Sequence, residues 1–231
     1  MPDARYDGKS DWYEVFAGRY VPRFAELVAA WVAPCSTVVD IGCGTGLPFD
    51  ALRARGITTI VGLDLSHSQL QLARRRNPLV VRGDAAALPI ASASVECVTS
   101  HFVHTDIDDF AGMVAEVGRV LAPGARFVYV GTHPCYVGVF ADRTTEAADQ
   151  QLVVRPGYGH RGVRFDGSRA GVAEHVGTRS VTLAQFVGAF VAAGLQIESL
   201  TELDTTATEW TAAADDGRVV PSNVLVVARR G

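Results

Sequence analysis

Three carboxylates and three glycines in this chain stand at spacings that suit a ligand bearing positive charge at one end and hydroxyl groups at the other. Asp40-Ile41-Gly42-Cys43-Gly44-Thr45-Gly46 follows the β-branched pair Val38-Val39 and leads into Leu47-Pro48. Glycine carries no Cβ, so the backbone at Gly42, Gly44 and Gly46 can come close to a bound group. A helix opening at about Leu47 offers free N–H groups to a carboxylate or another anion. The spacing is D-x-G-x-G-x-G, not the G-x-G-x-x-G of a dinucleotide turn. A carboxylate at Asp40 repels a pyrophosphate and suits an ammonium group. Taken alone, the turn serves equally as a tight strand-to-helix connection with no ligand. Asp64, about 20 residues on, ends the apolar run from Ile57 to Leu63, where an acid can accept two ribose hydroxyls. Asp84 follows a third apolar run, Leu79-Val80-Val81. Three acids after three successive strand ends are hard to explain as solvated surface charge.

The elements that must position these groups follow from periodicity. Strands ending at Asp40, Asp64 and Val81 alternate with helices, the second capped by Ser66 and stopped by Pro78. Val95–Ser100 forms a fourth strand and Phe127–Val130 a fifth, with a helix between them. Asp106, Asp108 and Asp109 stand at that helix start, offsetting its dipole, and Arg119 stands near its end. The alternation from 36 to 131 calls for a parallel sheet with crossover helices. Residues 132–180 break the rhythm and read as a functional insertion holding His133, Tyr136, Tyr158, His160 and His175. Thr182 caps a helix that Gly194 ends. Gln196–Leu203 and Val224–Ala228 then pair as antiparallel strands.

Ahead of the sheet, Trp12, Val15, Phe16, Tyr20, Phe24, Leu27, Val28 and Trp31 recur at spacings of three and four, predicting one helical region from Ser10 to Val32. Leu27, Val28 and Trp31 are assigned to packing against the sheet. The stretch from Tyr6 to Tyr20 mixes rings with polar ends, and lid and core are equally open for it.

The residues from Val38 to Gly46 resemble motif I of the class I S-adenosylmethionine-dependent methyltransferases. Leu88-Pro89-Ile90-Ala91-Ser92-Ala93-Ser94-Val95-Glu96 is similar to that family's LPF-x-D-x-S-F-D passage, with Glu96 where aspartate is usual. Arg119 to Ala125 is similar to R-x-L-x-P-G-G, with Ala125 for the second glycine. The resemblance covers 36–131 well and the C-terminal strands more loosely, and it is nearest to the small-molecule type (methyltransferase domain 11/25-like). It implies an α/β, Rossmann-like, seven-stranded and mostly parallel sheet with the last strand antiparallel. It implies S-adenosyl-L-methionine as cofactor, with Asp40, Gly42, Gly44, Gly46, Asp64, Leu65, Asp84, Ala85 and His101 around it. Asp84 would receive the adenine amino group, the N–H of Ala85 would read the ring, and His101 would contact the methionine part. The whole chain is then a single domain: a helical lid over 1–33, a cofactor-binding core over 34–131, a substrate-side insertion over 132–180, and a helix and strand pair over 181–231.

A sulfonium methyl is already activated, so the protein must align a nucleophile and manage its proton. Ligands of open α/β sheets lie beyond the carboxyl ends of the strands, which points to His104 after strand four, and secondly to His133 after strand five, as general base. For each, a hydrogen-bonded structural role stays open. Tyr13, Phe16, Tyr20, Tyr136 and Tyr158 are the expected acceptor contacts. The reading is methyl transfer to a small, aromatic or secondary-metabolite acceptor, O- or C-methylation ahead of N-methylation because of the histidines. A different enzyme on the same scaffold, such as a cyclase, decarboxylase or NAD-dependent reductase, and a non-catalytic cofactor-binding protein stand as rivals.

At 231 residues, 48% hydrophobic and 20% charged, the chain can bury a core. Its net charge of −4 and lack of basic runs exclude a nucleic-acid surface. The N-terminus lacks a signal pattern, no apolar run reaches membrane-spanning length, and the four cysteines lack metal-ligand or paired spacing. The expectation is a cytoplasmic monomer or homodimer without metal or membrane partner.

Overall fold

A seven-stranded sheet divides the molecule into two helical layers. The computed structural model describes residues 4–32, 34–143, 152–154, 156–167, 171–203 and 221–231. In chain order these form α1 (Ser10–Ala17), α2 (Val21–Val32), β1 (Thr37–Ile41), α3 (Phe49–Ala54), β2 (Thr59–Asp64), α4 (His67–Arg76), β3 (Val80–Arg82), β4 (Val95–His101), α5 (Phe110–Val120) and β5 (Leu121–Thr132). There follow β6 (Ala141–Arg143), β7 (Leu152–Val154), α6 (Val172–His175), α7 (Leu183–Ala192), β8 (Leu195–Leu203) and β9 (Asn223–Arg230). The strand order is β3-β2-β1-β4-β5-β9-β8. β1 to β5 pair in parallel. β9 runs antiparallel to both β5 and β8. The order reverses between β1 and β4, and at such a switch point the connections leave on opposite faces and open a crevice.

β5 shows how one strand builds two cores. Its side chains alternate, so Phe127 and Tyr129 join Met113, Val117, Phe186 and Phe190 beneath α5 and α7. Val128 and Val130 join Phe24, Val28, Phe49 and Leu70 beneath α2, α3 and α4. A fully buried phenylalanine such as Phe186 stabilises the fold by roughly 1.5–3 kcal/mol relative to an exposed one.

Several boundaries differ from the sequence reading. The stripe over 10–32 is two helices, because the chain turns at Gly18 and restarts with Pro22 in the first turn of α2, where a missing N–H costs nothing. Trp31 is 40% exposed and does not pack into the sheet core, unlike Val28. β5 starts at Leu121, not Phe127, because Leu121 already pairs with Val95. Glu96 accepts hydrogen bonds from the backbone N–H groups of Ser36 and Thr37 (3.0 and 3.2 Å), tying the entrance of β1 to β4. Those bonds hold its carboxyl below the usual range. The region after β5 contains the antiparallel pair β6–β7, α6 and a bridge between Arg164 and Thr178. Thr182 caps α7 in a reciprocal capping box with Gln185. Among the described residues no helix is long and apolar enough to cross a membrane.

Candidate active site

The glycine turn after β1 is held from below, where Gly42 and Cys43 donate their N–H groups to the carbonyl of Leu63 (2.7 and 3.0 Å). Gly42, Gly44 and Gly46 all have positive φ (69°, 55° and 81°), a conformation costly for residues with a Cβ. Their surroundings differ. A Cβ at Gly42 would stand 2.3 Å from Val103 Cγ1, and one at Gly46 2.6 Å from the Phe49 ring, so these two permit close packing. Gly44 meets only Tyr13 Cε1 at 3.5 Å and Gln69 Oε1 at 3.8 Å. Gly42 and Gly44 line a cavity at the switch point, whereas Gly46 packs away from it.

Asp64, Leu65, Asp84, Ala85 and His101 line the same cavity. Asp64 accepts the N–H of Gly44 on one oxygen and of Ser66 on the other, both at 2.8 Å. Burial pushes its carboxyl above the usual range, and those N–H groups oppose the push. Asp84 accepts from Ala86 N–H at 2.9 Å. Asp40 corrects the expectation that three carboxylates meet in one cleft. It is fully buried and stands behind the cavity wall. Its Oδ1 accepts from Thr99 Oγ1 (2.8 Å) and lies 3.2 Å from His101 Nδ1, and its Oδ2 has no partner among the described residues. A proton on Nδ1 directed at Asp40 leaves His101 Nε2 as an acceptor, and that atom is buried without a partner among the described residues, as is Gln69 Oε1. Buried unpartnered acceptors cost free energy until a ligand supplies donors. The lining therefore fits a molecule with an ammonium group near His101 and hydroxyls near Asp64, which is the chemistry of S-adenosylmethionine.

The N-terminal segment roofs this cavity. Arg5 donates to the carbonyls of Val176 and Gly177 (2.9 Å each) and to that of Asp106. Lys9 donates to the His175 carbonyl, and Trp12 stacks on the His175 ring with centroids 4.1 Å apart. Asp7 accepts from Ser66 Oγ at 2.7 Å. Residues 4–17 thus tie the α4 entrance to the region around α6.

A second cavity, of about 600 Å³, adjoins the first. Phe16, Tyr20, Phe24 and Phe102 give it an aromatic wall, Thr105 and Thr132 add hydroxyls, and the exposed Arg19 and Arg23 stand on its rim. Thr132 Oγ1 is buried without a partner among the described residues. Phe102 adopts a positive φ of 57°, unusual for a bulky residue, and its ring sits 5.2 Å from Tyr20 and 4.8 Å from Phe24. Tyr6, Tyr13, Phe102 and Asp106 line both cavities. By sequence, Asp106 is only a helix-start charge. The cap of α5 is Asp109, whose side chain accepts from Gly112 N–H, and Asp106 lies outside the helix facing the cavities. The available signal was an acid three residues ahead of the cap, in the loop after β4.

The two histidines expected to act as base lie elsewhere. His104 is 2% exposed, packed 5.5 Å from Phe186 and 6.0 Å from Phe110, and lines neither cavity. Its Nδ1 lies 2.6 Å from the Tyr129 hydroxyl, and burial pulls its pKa down to about 3. His133 holds Cys135 N–H on Nδ1 (3.1 Å) and Glu202 Oε1 on Nε2 (2.8 Å), so both ring nitrogens are engaged. It too lines neither cavity. Tyr136 stacks on His133 at 4.4 Å. The Tyr158 hydroxyl accepts from Leu183 N–H at 2.7 Å, its ring against Phe140. Neither tyrosine reaches the cavities, so of the five expected acceptor contacts Tyr13, Phe16 and Tyr20 are brought together.

Strand order, glycine turn and crevice together define the Rossmann-like methyltransferase fold. Residues 39–129 match the family model described as a methyltransferase domain. The demethylmenaquinone methyltransferase of Renibacterium salmoninarum is 32% identical over 147 residues, which are 62% of this chain and 60% of that protein. The chain thus spans less than two thirds of that relative's length. A crystal structure of an S-adenosylmethionine-dependent methyltransferase from Mesorhizobium loti superposes with a TM-score of 0.67 at 24% identity, covering 89% of this chain and 98% of the other. The [4+2]-cyclase SpnF superposes with a TM-score of 0.62 at 19% identity, covering 92% and 82%. At these identities the structural likeness speaks for the fold.

Proposed function

We propose that this protein transfers the methyl group of S-adenosyl-L-methionine to a small acceptor whose ring-bearing, apolar body fills the 600 Å³ cavity. The observation that carries this reading is the shared wall of Tyr6, Tyr13, Phe102 and Asp106, which lets a donor in one cavity and an acceptor in the other meet. When bound, the cofactor supplies an activated methyl group. The chain's part is to bind, orient and exclude water. Asp64 holds the ribose hydroxyls, Asp84 and the Ala85 N–H read the adenine, and Gly44 and His101, steadied by Asp40, hold the amino-acid end. Tyr6 and Tyr13 close the junction to water, and Thr132 offers a hydrogen bond to a polar group on the acceptor. The menaquinone-directed relative is in keeping with an aromatic acceptor. The histidines that placed O- and C-transfer ahead of N-transfer lie outside the cavity, so that preference loses its ground.

Incubation with methyl-labelled cofactor and a panel of phenols, indoles and quinols, read by mass, tests the reading. A labelled product one methylene heavier supports it. The cyclase likeness gives a second reading, in which the cavities hold a ligand and no methyl moves. It predicts an acceptor rearranged at constant mass with the cofactor unconsumed.

A further inference from the structure

Resting on the methyl-transfer reading, we propose that Asp106 is the catalytic proton acceptor, and that the acceptor is an aromatic molecule presenting a neutral O–H or N–H to it. Among the described residues lining the acceptor cavity Asp106 is the one carboxylate, and it also lines the cofactor cavity. It is therefore at the junction where a methyl must cross. Its side chain is held rather than free: Tyr6 donates its hydroxyl to Oδ2 at 2.8 Å, and Thr105 donates to Oδ1 at 3.2 Å. The backbone on either side is also fixed, since its N–H donates to Val103 and its carbonyl takes Arg5. Each carboxylate oxygen keeps a further lone pair.

The other candidates are committed elsewhere. Asp64 faces only the cofactor cavity with both oxygens on backbone N–H groups, and both ring nitrogens of His133 are bonded. His104 lies in the core. Burial pushes the Asp106 carboxyl up to about 6, so near neutral pH it is ionised yet more basic than a solvated aspartate. The groups that face it are Arg5 and Tyr6 of the N-terminal segment, Tyr13, Tyr20, Asp64 at the end of β2 and Tyr129 on β5.

The step balances as follows. The acceptor oxygen or nitrogen forms its bond to the methyl carbon while the carbon–sulfur bond breaks and sulfur takes that electron pair. The O–H or N–H proton passes to Asp106, and the carboxyl group returns it to solvent on product release.

The test uses the full chain saturated with S-adenosylhomocysteine. Carbon-13 NMR follows the Asp106 carboxyl, assigned with Asp106→Asn, through a pH titration with either phenol or anisole as probe. Phenol donates a hydrogen bond to the ionised carboxylate and should give a lower pKa than anisole, which fills the same space without donating. Identical values with the two probes, or no response to either, would overturn the proposal. Failure of the wild type to bind S-adenosylhomocysteine would instead remove the methyl-transfer reading on which it rests. With the acceptor from the labelled-methyl panel, Asp106→Asn should lose about 10²–10⁴-fold in single-turnover rate. Tyr6→Phe withdraws a hydrogen bond that favours the ionised carboxylate, so the acid limb of the rate–pH profile should move to higher pH. An acid limb that stays in place in Tyr6→Phe and persists in Asp106→Asn assigns the titration to another group and refutes the role.

Discussion

Replacing Asp64 by alanine separates the binding role of that carboxylate from its structural one. Each of its oxygens is already engaged by one backbone N–H at 2.8 Å, from Gly44 and Ser66, and has capacity for one ribose hydroxyl. Bonds to an ionised acceptor contribute about 1.5–3 kcal/mol to binding, so the dissociation constant for S-adenosylhomocysteine should rise roughly 10–150-fold. The apo protein should change less, because two opposing effects meet there. Alanine leaves the Gly44 and Ser66 N–H groups without their acceptor, at about 1–3 kcal/mol each if kept dry. It also removes a buried carboxylate whose desolvation outweighs its hydrogen bonds, as its raised pKa records. Titration calorimetry at neutral pH measures the affinity, and circular dichroism confirms that the variant is folded. A folded Asp64→Ala protein with a dissociation constant within about twofold of wild type would refute the ribose assignment.

Four further outcomes are expected. His104→Phe should flatten the acid sensitivity of folding, because a histidine at 6.5 when unfolded and about 3 when folded withdraws up to ~5 kcal/mol as pH falls through that window. Denaturant melts of the two proteins from neutral to acid pH would show parallel curves if this is wrong. Asp106→Asn should stabilise the apo protein near neutral pH by at most ~3 kcal/mol, since a carboxyl raised from 3.8 to about 6 loses stability as pH climbs through those values. Its advantage should vanish in acid, and a constant gap at all pH values would exclude the linkage. Gly42→Ala should destabilise by about 2–4 kcal/mol, through the positive φ and the Val103 methyl in its way, and a thermal midpoint equal to wild type would contradict that. If residues 4–17 act as a lid, Trp12→Ala, which removes the stack on His175 worth about 0.5–1.5 kcal/mol, should speed cofactor release in stopped-flow; an unchanged off-rate would refute that role.

Local chemistry was readable wherever one element carries its own instructions. The Val-Val-Asp run into glycines, the Ser66 and Thr182 caps and the Gly194 stop each satisfy backbone groups within a few residues. The strand end at Asp64 and the turn at Asp84 just past β3 therefore fell where expected, as did the antiparallel C-terminal pair. The break of the first helix was also written in the chain, as Gly18 and Pro22, but the continuous aromatic stripe hid it.

Roles that depend on which way a side chain faces were decided only by the tertiary structure. Asp40 and Asp64 lie on the same face of two neighbouring strands, yet one sits behind the wall and the other on it, because Asp40 is in register with Gly62, two residues short of the Asp64 that ends β2. His104 and Asp106 stand two residues apart in one loop. The first turns into the Phe110–Phe186 core and the second toward the cavities, a choice made by Tyr129 and Tyr6, which are distant in sequence. Sequence specified the strands, turns and caps because short-range hydrogen bonding and periodicity specify them. Which ionisable group meets the acceptor was left to long-range packing, since burial and partner, rather than residue type, determine whether a titratable side chain can take a proton.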